Sequence, residues 1–248
     1  MCIILVTKHP TPDYKLILVA NRDEYHTRKT SPLSYWSDYP EIVGGKDLVA
    51  GGSWLAVSTS GRLAAITNIS AIRSSNEPVA SRGLIVRNFL AGKCSVREYS
   101  DRLKAAHHAY DGFNLVIYHQ DTLYWDSNTV NMGEELSLGL HTVSNAPLHT
   151  EWLKTEKLRA KFSSVLASNP VNLCSQLFEI LGPDLTGRQT GQFEENLRNE
   201  IFIKGETYGT RCSSIVLFRT DGTIGFTERS YNKGGECTEE KMLKIIQA

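Results

Sequence analysis

The apolar residues of this chain fall into two kinds of run, and the kinds are grouped in blocks. Short β-branched runs come in pairs: Cys2 to Thr7 with Leu16 to Ala20, Trp54 to Val57 with Leu63 to Thr67, Phe113 to Tyr118 with Thr122 to Trp125, and Ser213 to Phe218 with Ile224 to Thr227. Turn chemistry stands between the partners, as in Pro10-Thr11-Pro12-Asp13, Ser60-Gly61 and Asp221-Gly222. Such pairs read as β-hairpins, and Leu140 to Ser144 reads as one more strand. Leu84 to Leu90 reads as a helix, followed by a second that opens on the capping-box pattern Ser95-Val96-Arg97-Glu98. A second block places Leu158, Phe162, Val165 and Leu166 on one helical face, then Leu173, Leu177 and Leu181 after Pro170, then a helix over Phe193 to Ile203. A short helix over Lys241 to Ile246 is expected to close the chain. Strands grouped with strands and helices with helices predict α+β sheets covered by helices, not a βαβ alternation. No GxGxxG or Walker-type loop is present.

Two further stretches read as irregular. Pro32 and Pro40 break a polar segment, and Gly44-Gly45 and Gly51-Gly52 flank a turn region. The run Asn21-Arg22-Asp23-Glu24 reads as a charged turn closing the second strand. In that reading Arg22 and Asp23 face Cys2 across the hairpin, while Asn21 and Glu24 hold the turn.

A chain of 248 residues can bury a substantial core without disulfides or metals, and no linker or repeat divides it, so one domain over 1–248 is expected. Lys+Arg and Asp+Glu are both 27, so the whole-molecule field gives no reason to expect a nucleic-acid partner. The five cysteines are odd in number and irregularly spaced, with no zinc pattern, which fits reduced thiols, no metal centre and the cytoplasm. The apolar run Ile3-Ile4-Leu5-Val6 is too short for a signal-peptide core, and no segment has the length of a membrane span.

Cys2 is the residue with the most chemistry to offer. A small second residue permits removal of Met1, which leaves thiol and α-amine on one residue. An α-amine with a pKa of about 7.7–8.0 can serve as base to the thiol. Arg22 and Asp23 lie across the hairpin, and Asn68, Asn145 and Arg211 stand at the ends of other strands. Each alone suits a turn or strand end. Together they can form a polar pocket: amides for an oxyanion, guanidinium groups for a carboxylate or phosphate. His9, His26, His107, His108, His119, His141 and His149 are the imidazoles open to haem ligation, none in a haem motif.

Motifs over nearly the whole chain carry a resemblance. Met1-Cys2-Ile3-Ile4, Asn21-Arg22-Asp23-Glu24, Gly51-Gly52-Ser53-Trp54-Leu55, Thr67-Asn68, Ser81-Arg82-Gly83, Gly112-Phe113-Asn114-Leu115, Ser144-Asn145, Tyr208-Gly209-Thr210-Arg211 and Phe226-Thr227-Glu228-Arg229 are similar, in order, to the motif series of the NRDE family, the transport and Golgi organization protein 2 homologs. The resemblance implies an N-terminal-nucleophile (Ntn) hydrolase-like fold, a four-layer αββα sandwich of two mainly antiparallel sheets. Cys2, Arg22, Asp23, Asn68, Asn145 and Arg211 resemble in type and order the site of cysteine Ntn acylases, which separate the Arg and Asp that are adjacent here.

The resemblance also implies haem trafficking and lipid or acyl-CoA homeostasis, with mitochondrial or Golgi association. Two functions follow. One is a carrier that takes haem or an acyl thioester as cargo and needs no cofactor. The other is an amidohydrolase or thioesterase with Cys2 as nucleophile, Asp23 orienting its amine, Asn68 and Asn145 steadying the oxyanion, and Arg22 and Arg211 gripping an anionic group.

Overall fold

Strand periodicity sorts the side chains of the first hairpin into two sets. The computed structural model describes residues 2–69, 80–148, 150–183 and 193–247. In it, β1 (Cys2–Thr11) and β2 (Tyr14–Tyr25) pair antiparallel, so Ile4, Val6, Leu16 and Leu18 face one way and Ile3, Leu5, Ile17 and Val19 the other. The two faces enter different cores.

The remaining strands are β3 (Thr30–Tyr35), β4 (Ile42–Asp47), β5 (Leu55–Ser58), β6 (Leu63–Asn68), β7 (Phe113–His119), β8 (Thr122–Ser127), β9 (Met132–Glu135), β10 (Gly139–Val143), β11 (Tyr208–Arg219), β12 (Thr223–Tyr231) and β13 (Cys237–Ile246). The helices are α1 (Gly83–Ala91), α2 (Val96–Ala105), α3 (Leu153–Ala167), α4 (Leu173–Leu181) and α5 (Phe193–Asn199). One sheet runs β10-β1-β2-β11-β12-β13 and the other β3-β4-β5-β6-β7-β8-β9, and paired neighbours are antiparallel.

Three cores stack the layers. Val6, Leu18, Val43, Val57, Val116 and Phe226 pack between the sheets. Ala56, Ile66 and Ile117 meet Ile85, Phe89 and Leu103 of α1 and α2. Ile3, Val19 and Ile215 meet Leu158, Phe162 and Leu177 of α3 and α4. The order is helix, sheet, sheet, helix: the expected α+β sandwich. Ser95 and Glu98 form the capping box that opens α2. No helix among the described residues is long and apolar enough to cross a membrane.

Three expectations fail here. Lys241 to Ile246 is not a helix but the outer part of β13, paired with β12 through Leu243↔Phe226 and Ile245↔Ile224. Leu243 and Ile245 point into the inter-sheet core while Met242 and Ile246 stay exposed, an alternation of period two. Nor is Asn21-Arg22-Asp23-Glu24 a turn: β2 runs through it to Tyr25, with β11 on its outer side. The irregular reading of 30–47 also gives way, to β3 and β4.

Candidate functional site

The polar end of β2 stays extended because every side chain of the run has somewhere to go. Asn21 lies on the helix-facing side, where its Nδ2 donates to Leu181 O (2.8 Å) and Ile201 O (2.9 Å) and its Oδ1 accepts from Ser213 Oγ (2.6 Å). Asn21 thus ties sheet to helix layer rather than holding a turn. Asp23 lies on the same side, with Oδ1 accepting from Thr210 Oγ1 (2.7 Å) and the Asp23 carbonyl from Tyr208 Oη (2.9 Å). Arg22 points the other way, between Cys2 and Cys212 in one row across three strands.

Cys2 and Arg22 of that row form a wall of a cavity of about 400 Å³, which Glu24, Trp54, Asn68 and Arg82 line with others. Gly45 lets Trp54 take its place, since a Cβ there would lie 2.3 Å from the indole. Gly52 and Gly83 likewise touch backbone to backbone, a Cβ on Gly52 falling 2.2 Å from Gly83 C, which brings the start of α1 and Arg82 to the cavity. The Arg22 guanidinium lies 4.1 Å from the centre of the Trp54 ring, a cation–π contact. Arg22 is 6% exposed, and its Nη1 has no hydrogen-bond partner among the described residues. Of the other two arginines at the cavity, Arg28 binds Asp47 Oδ2 at 2.7 Å and Arg82 donates to Gly112 O at 2.9 Å. Arg22 has Glu24 Oε2 at 3.8 Å from its Nη2, and it lines the cavity with one buried donor unspent.

Cys2 is fixed by the chain after β10. Its backbone N–H donates to Asn145 Oδ1 (2.8 Å), its carbonyl accepts from Ser144 Oγ (2.8 Å), and Asn145 Nδ2 donates to Asn68 O (2.6 Å). Asn114 braces this segment by donating to Ser144 O (2.9 Å) and Ala146 O (2.8 Å). Burial pushes the Cys2 thiol up, and the Asp23 carboxylate adds to that while Arg22 opposes it. Burial also raises Asp23, against the pull of the amino terminus, Lys154, the Thr210 hydrogen bond and Arg22. A thiol held protonated in this way needs a base beside it before it can attack anything.

Cys2, Arg22, Asp23 and Asn68 therefore meet at one cavity, and Asn145 meets it through the Cys2 nitrogen. Arg211 does not join that wall. It sits at a bulge in β11, and its Nη1 donates to Tyr25 O, His26 O and Arg28 O at 2.9–3.3 Å, bracing the chain beyond β2. Sequence reasoning missed Arg28, Trp54 and Arg82 as lining residues, and Asn114 behind them. The motifs Gly51-Gly52-Ser53-Trp54-Leu55 and Ser81-Arg82-Gly83 were the available signal, because glycines beside a Trp or an Arg mark close backbone approach. No histidine is among the described residues lining the cavity. His9 pairs with Asp121, His107 with Asp126, and His26 and His141 with backbone carbonyls. His119 contacts Arg62, His108 is exposed, and His149 lies outside the described residues. The described residues hold no cluster of His, Cys, Asp and Glu fit for a metal ion.

Residues 1–233 match the family model described as transport and Golgi organisation 2. The chain is 33% identical to the transport and Golgi organization 2 homolog of Mus musculus and 31% to that of Homo sapiens, each match covering 93% of both chains. Among solved structures it is similar to the C2A mutant of conjugated bile acid hydrolase from Clostridium perfringens, with 11% identity and a TM-score of 0.49 over 99% of this chain and 92% of that one. A likeness that distant assigns no role to a residue here.

Proposed function

The chain belongs to the transport and Golgi organisation 2 family, and on that footing we propose that Cys2 is the nucleophile of a hydrolase cleaving an amide or thioester bond in a small anionic acyl compound. The observation that carries the reading is the Cys2 nitrogen held 2.8 Å from Asn145 Oδ1 on a residue that lines the arginine-walled cavity. Removal of Met1 turns that nitrogen into an α-amine already seated on an acceptor. With a pKa of about 7.7–8.0 roughly a tenth of the amine is neutral at pH 7, and that form takes the thiol proton. Sulfur attacks the substrate carbonyl, the C–N or C–S bond breaks, and the ammonium returns its proton to the leaving group. Water then adds to the Cys2 thioester with the amine as base, releasing the carboxylic acid and the free thiol. In this reading Asn68 supports the oxyanion, Asp23 orients the amine, and Arg22 grips the anionic group, with Arg82 rather than Arg211 beside it.

The test begins with intact mass. In protein shown to lack Met1, Cys2→Ala should reduce turnover of a panel of anionic amides and thioesters to background. Turnover that survives Cys2→Ala, or full turnover with Met1 retained, overturns the proposal.

The unpartnered Arg22 Nη1 also favours a second reading, a carrier that holds a haem propionate or an acyl-CoA phosphate without cleaving anything. For haem, Cys2 Sγ would be the ligand, since no histidine is among the described lining residues. A haem titration with a saturable Soret shift that Cys2→Ala abolishes would support it, and a titration without saturation would end it.

A further inference from the structure

Lys154 is a fully buried charge that the reaction above leaves unused. It stands in the first turn of α3, on the helix face that carries Leu158, Phe162 and Val165 into the core against β1. It is 0% exposed, and its Nζ has no hydrogen-bond partner among the described residues. Its described side-chain neighbour is the Trp152 ring, 5.1 Å from Nζ. A buried ammonium without hydrogen bonds is costly unless an opposite charge stands close by. The helix-facing side of β2 supplies one. Asp23 projects there, two residues beyond Asn21, whose bonds to Leu181 O and Ile201 O mark that face as turned to the helices. Asp23 is 3% exposed; burial pushes the Lys154 amine down while Asp23 and Cys2 pull it back up, and Lys154 in turn pulls Asp23 down.

We propose that Lys154 is a positioning residue acting through Asp23: its buried charge keeps the Asp23 carboxyl ionised, and that carboxylate holds the amino group of Cys2 beside the thiol. The role rests on the hydrolase reading of the cavity. Acting on Asp23 are the amino terminus and Cys2 at the start of β1, Arg22 from its own strand, Thr210 and the Tyr208 hydroxyl from β11, and Lys154 from α3. The amino terminus and Arg22 also act on Asp23, and Arg22 reaches toward the opposite side of the sheet, over Trp54. Lys154 is therefore the side-chain cation on the Asp23 side.

The sign is fixed. Burial raises Asp23 and Lys154 pulls it back, so removing the ammonium lets the carboxyl hold its proton to higher pH. In ¹³C-aspartate-labelled protein lacking Met1, Lys154→Met should weaken Asp23 as an acid by about tenfold, one pH unit in the carboxyl titration. The acid limb of turnover on the anionic amide and thioester panel should move up by the same amount, with the alkaline limb unmoved. Lys154→Gln, a second neutral replacement, should do likewise, so that one badly folded variant does not decide the question. An unmoved Asp23 titration in folded variants overturns the proposal. A moved titration with an unmoved acid limb overturns the positioning role. Wild-type protein that never turns over the panel fails the hydrolase reading itself, and the role with it. That failure is distinct, because the Asp23 titration reads the Lys154–Asp23 coupling without turnover.

Discussion

The sandwich has a hollow at each end, and the two are nearly the same size. The Cys2 end encloses about 400 Å³, and the far end, where the β1–β2, β5–β6 and β7–β8 connections gather, about 430 Å³. They differ in how their charges are held. At the far end the charged groups sit on or beside hairpin tips with their polar atoms taken up, Arg62 among them although it is 2% exposed. His9 meets Asp121 at 2.7 Å with both side chains substantially exposed, and Arg62 approaches His119 at 3.3 Å while bonding Phe89 O and Cys94 O. At the Cys2 end Arg22, Asp23 and Glu228 are buried inside strands, and Arg22 keeps a donor unspent. A buried charge with a donor left unspent, more than burial alone or hollow size, marks the end built for a ligand.

The largest effect should come from emptying the Cys2 end of its open donor. Arg22→Ala removes one charged group from an anionic ligand, an interaction worth about 1.5–3 kcal/mol, or roughly 10- to 150-fold in affinity. The kcat/KM for anionic members of the panel should fall by that factor, with little change for neutral analogues. An equal fall for both would mean that Arg22 only supports Trp54, and the two ends would then differ less than proposed.

A smaller effect is expected from pH. Glu228 accepts from Leu33 N (2.8 Å) and Ser214 Oγ (3.1 Å), yet burial outweighs these bonds and raises its carboxyl. A carboxyl that binds its proton more tightly in the folded state favours folding below its unfolded pKa of about 4.3, and that advantage is lost as pH rises through the higher folded value. Asp23 contributes with the same sign. Urea unfolding of Glu228→Gln between pH 4 and 8 should lose stability with rising pH less steeply than the parent. Identical slopes would show that Glu228 does not carry its share of the buried charge.

Much of this architecture was legible in the chain and much of its chemistry was not, for one reason. Hairpins such as Phe113 to Trp125 and the helix behind Ser95 and Glu98 are set by local pattern, and they fold as that pattern reads. Asn21-Arg22-Asp23-Glu24 reads as a turn because isolated polar residues favour turns. It is a strand because distant segments, Leu181, Ile201, Thr210 and Ser213, supply partners that no local pattern contains. The last residues of β13 fit a helix or a strand equally until Phe226 and Ile224 pair with them. Cys2 and Asn145 were readable as chemistry by type, but Lys154 was not, since a lone lysine in a helix reads as a solvated face. Its spacing from Leu158, Phe162 and Val165 on the buried face was the signal that placed it inside.

The smallest effect belongs to the far end. Asp121→Asn breaks the His9 contact, but the pair is 43% and 58% exposed in its side chains and water screens it. Exposed pairs contribute at most about 1 kcal/mol, which for a chain of this length shifts the melting temperature by no more than about 2–4 °C. Turnover or haem binding, whichever the Cys2 end performs, should be unchanged within error, because His9 and Asp121 line the other hollow. Asp121→Asn set beside Arg22→Ala therefore compares two cavities of like size at the cost of one side chain each. If the two substitutions lowered activity on the anionic panel alike, the contrast between paired charge at hairpin tips and unspent charge inside strands would not be what separates the ends.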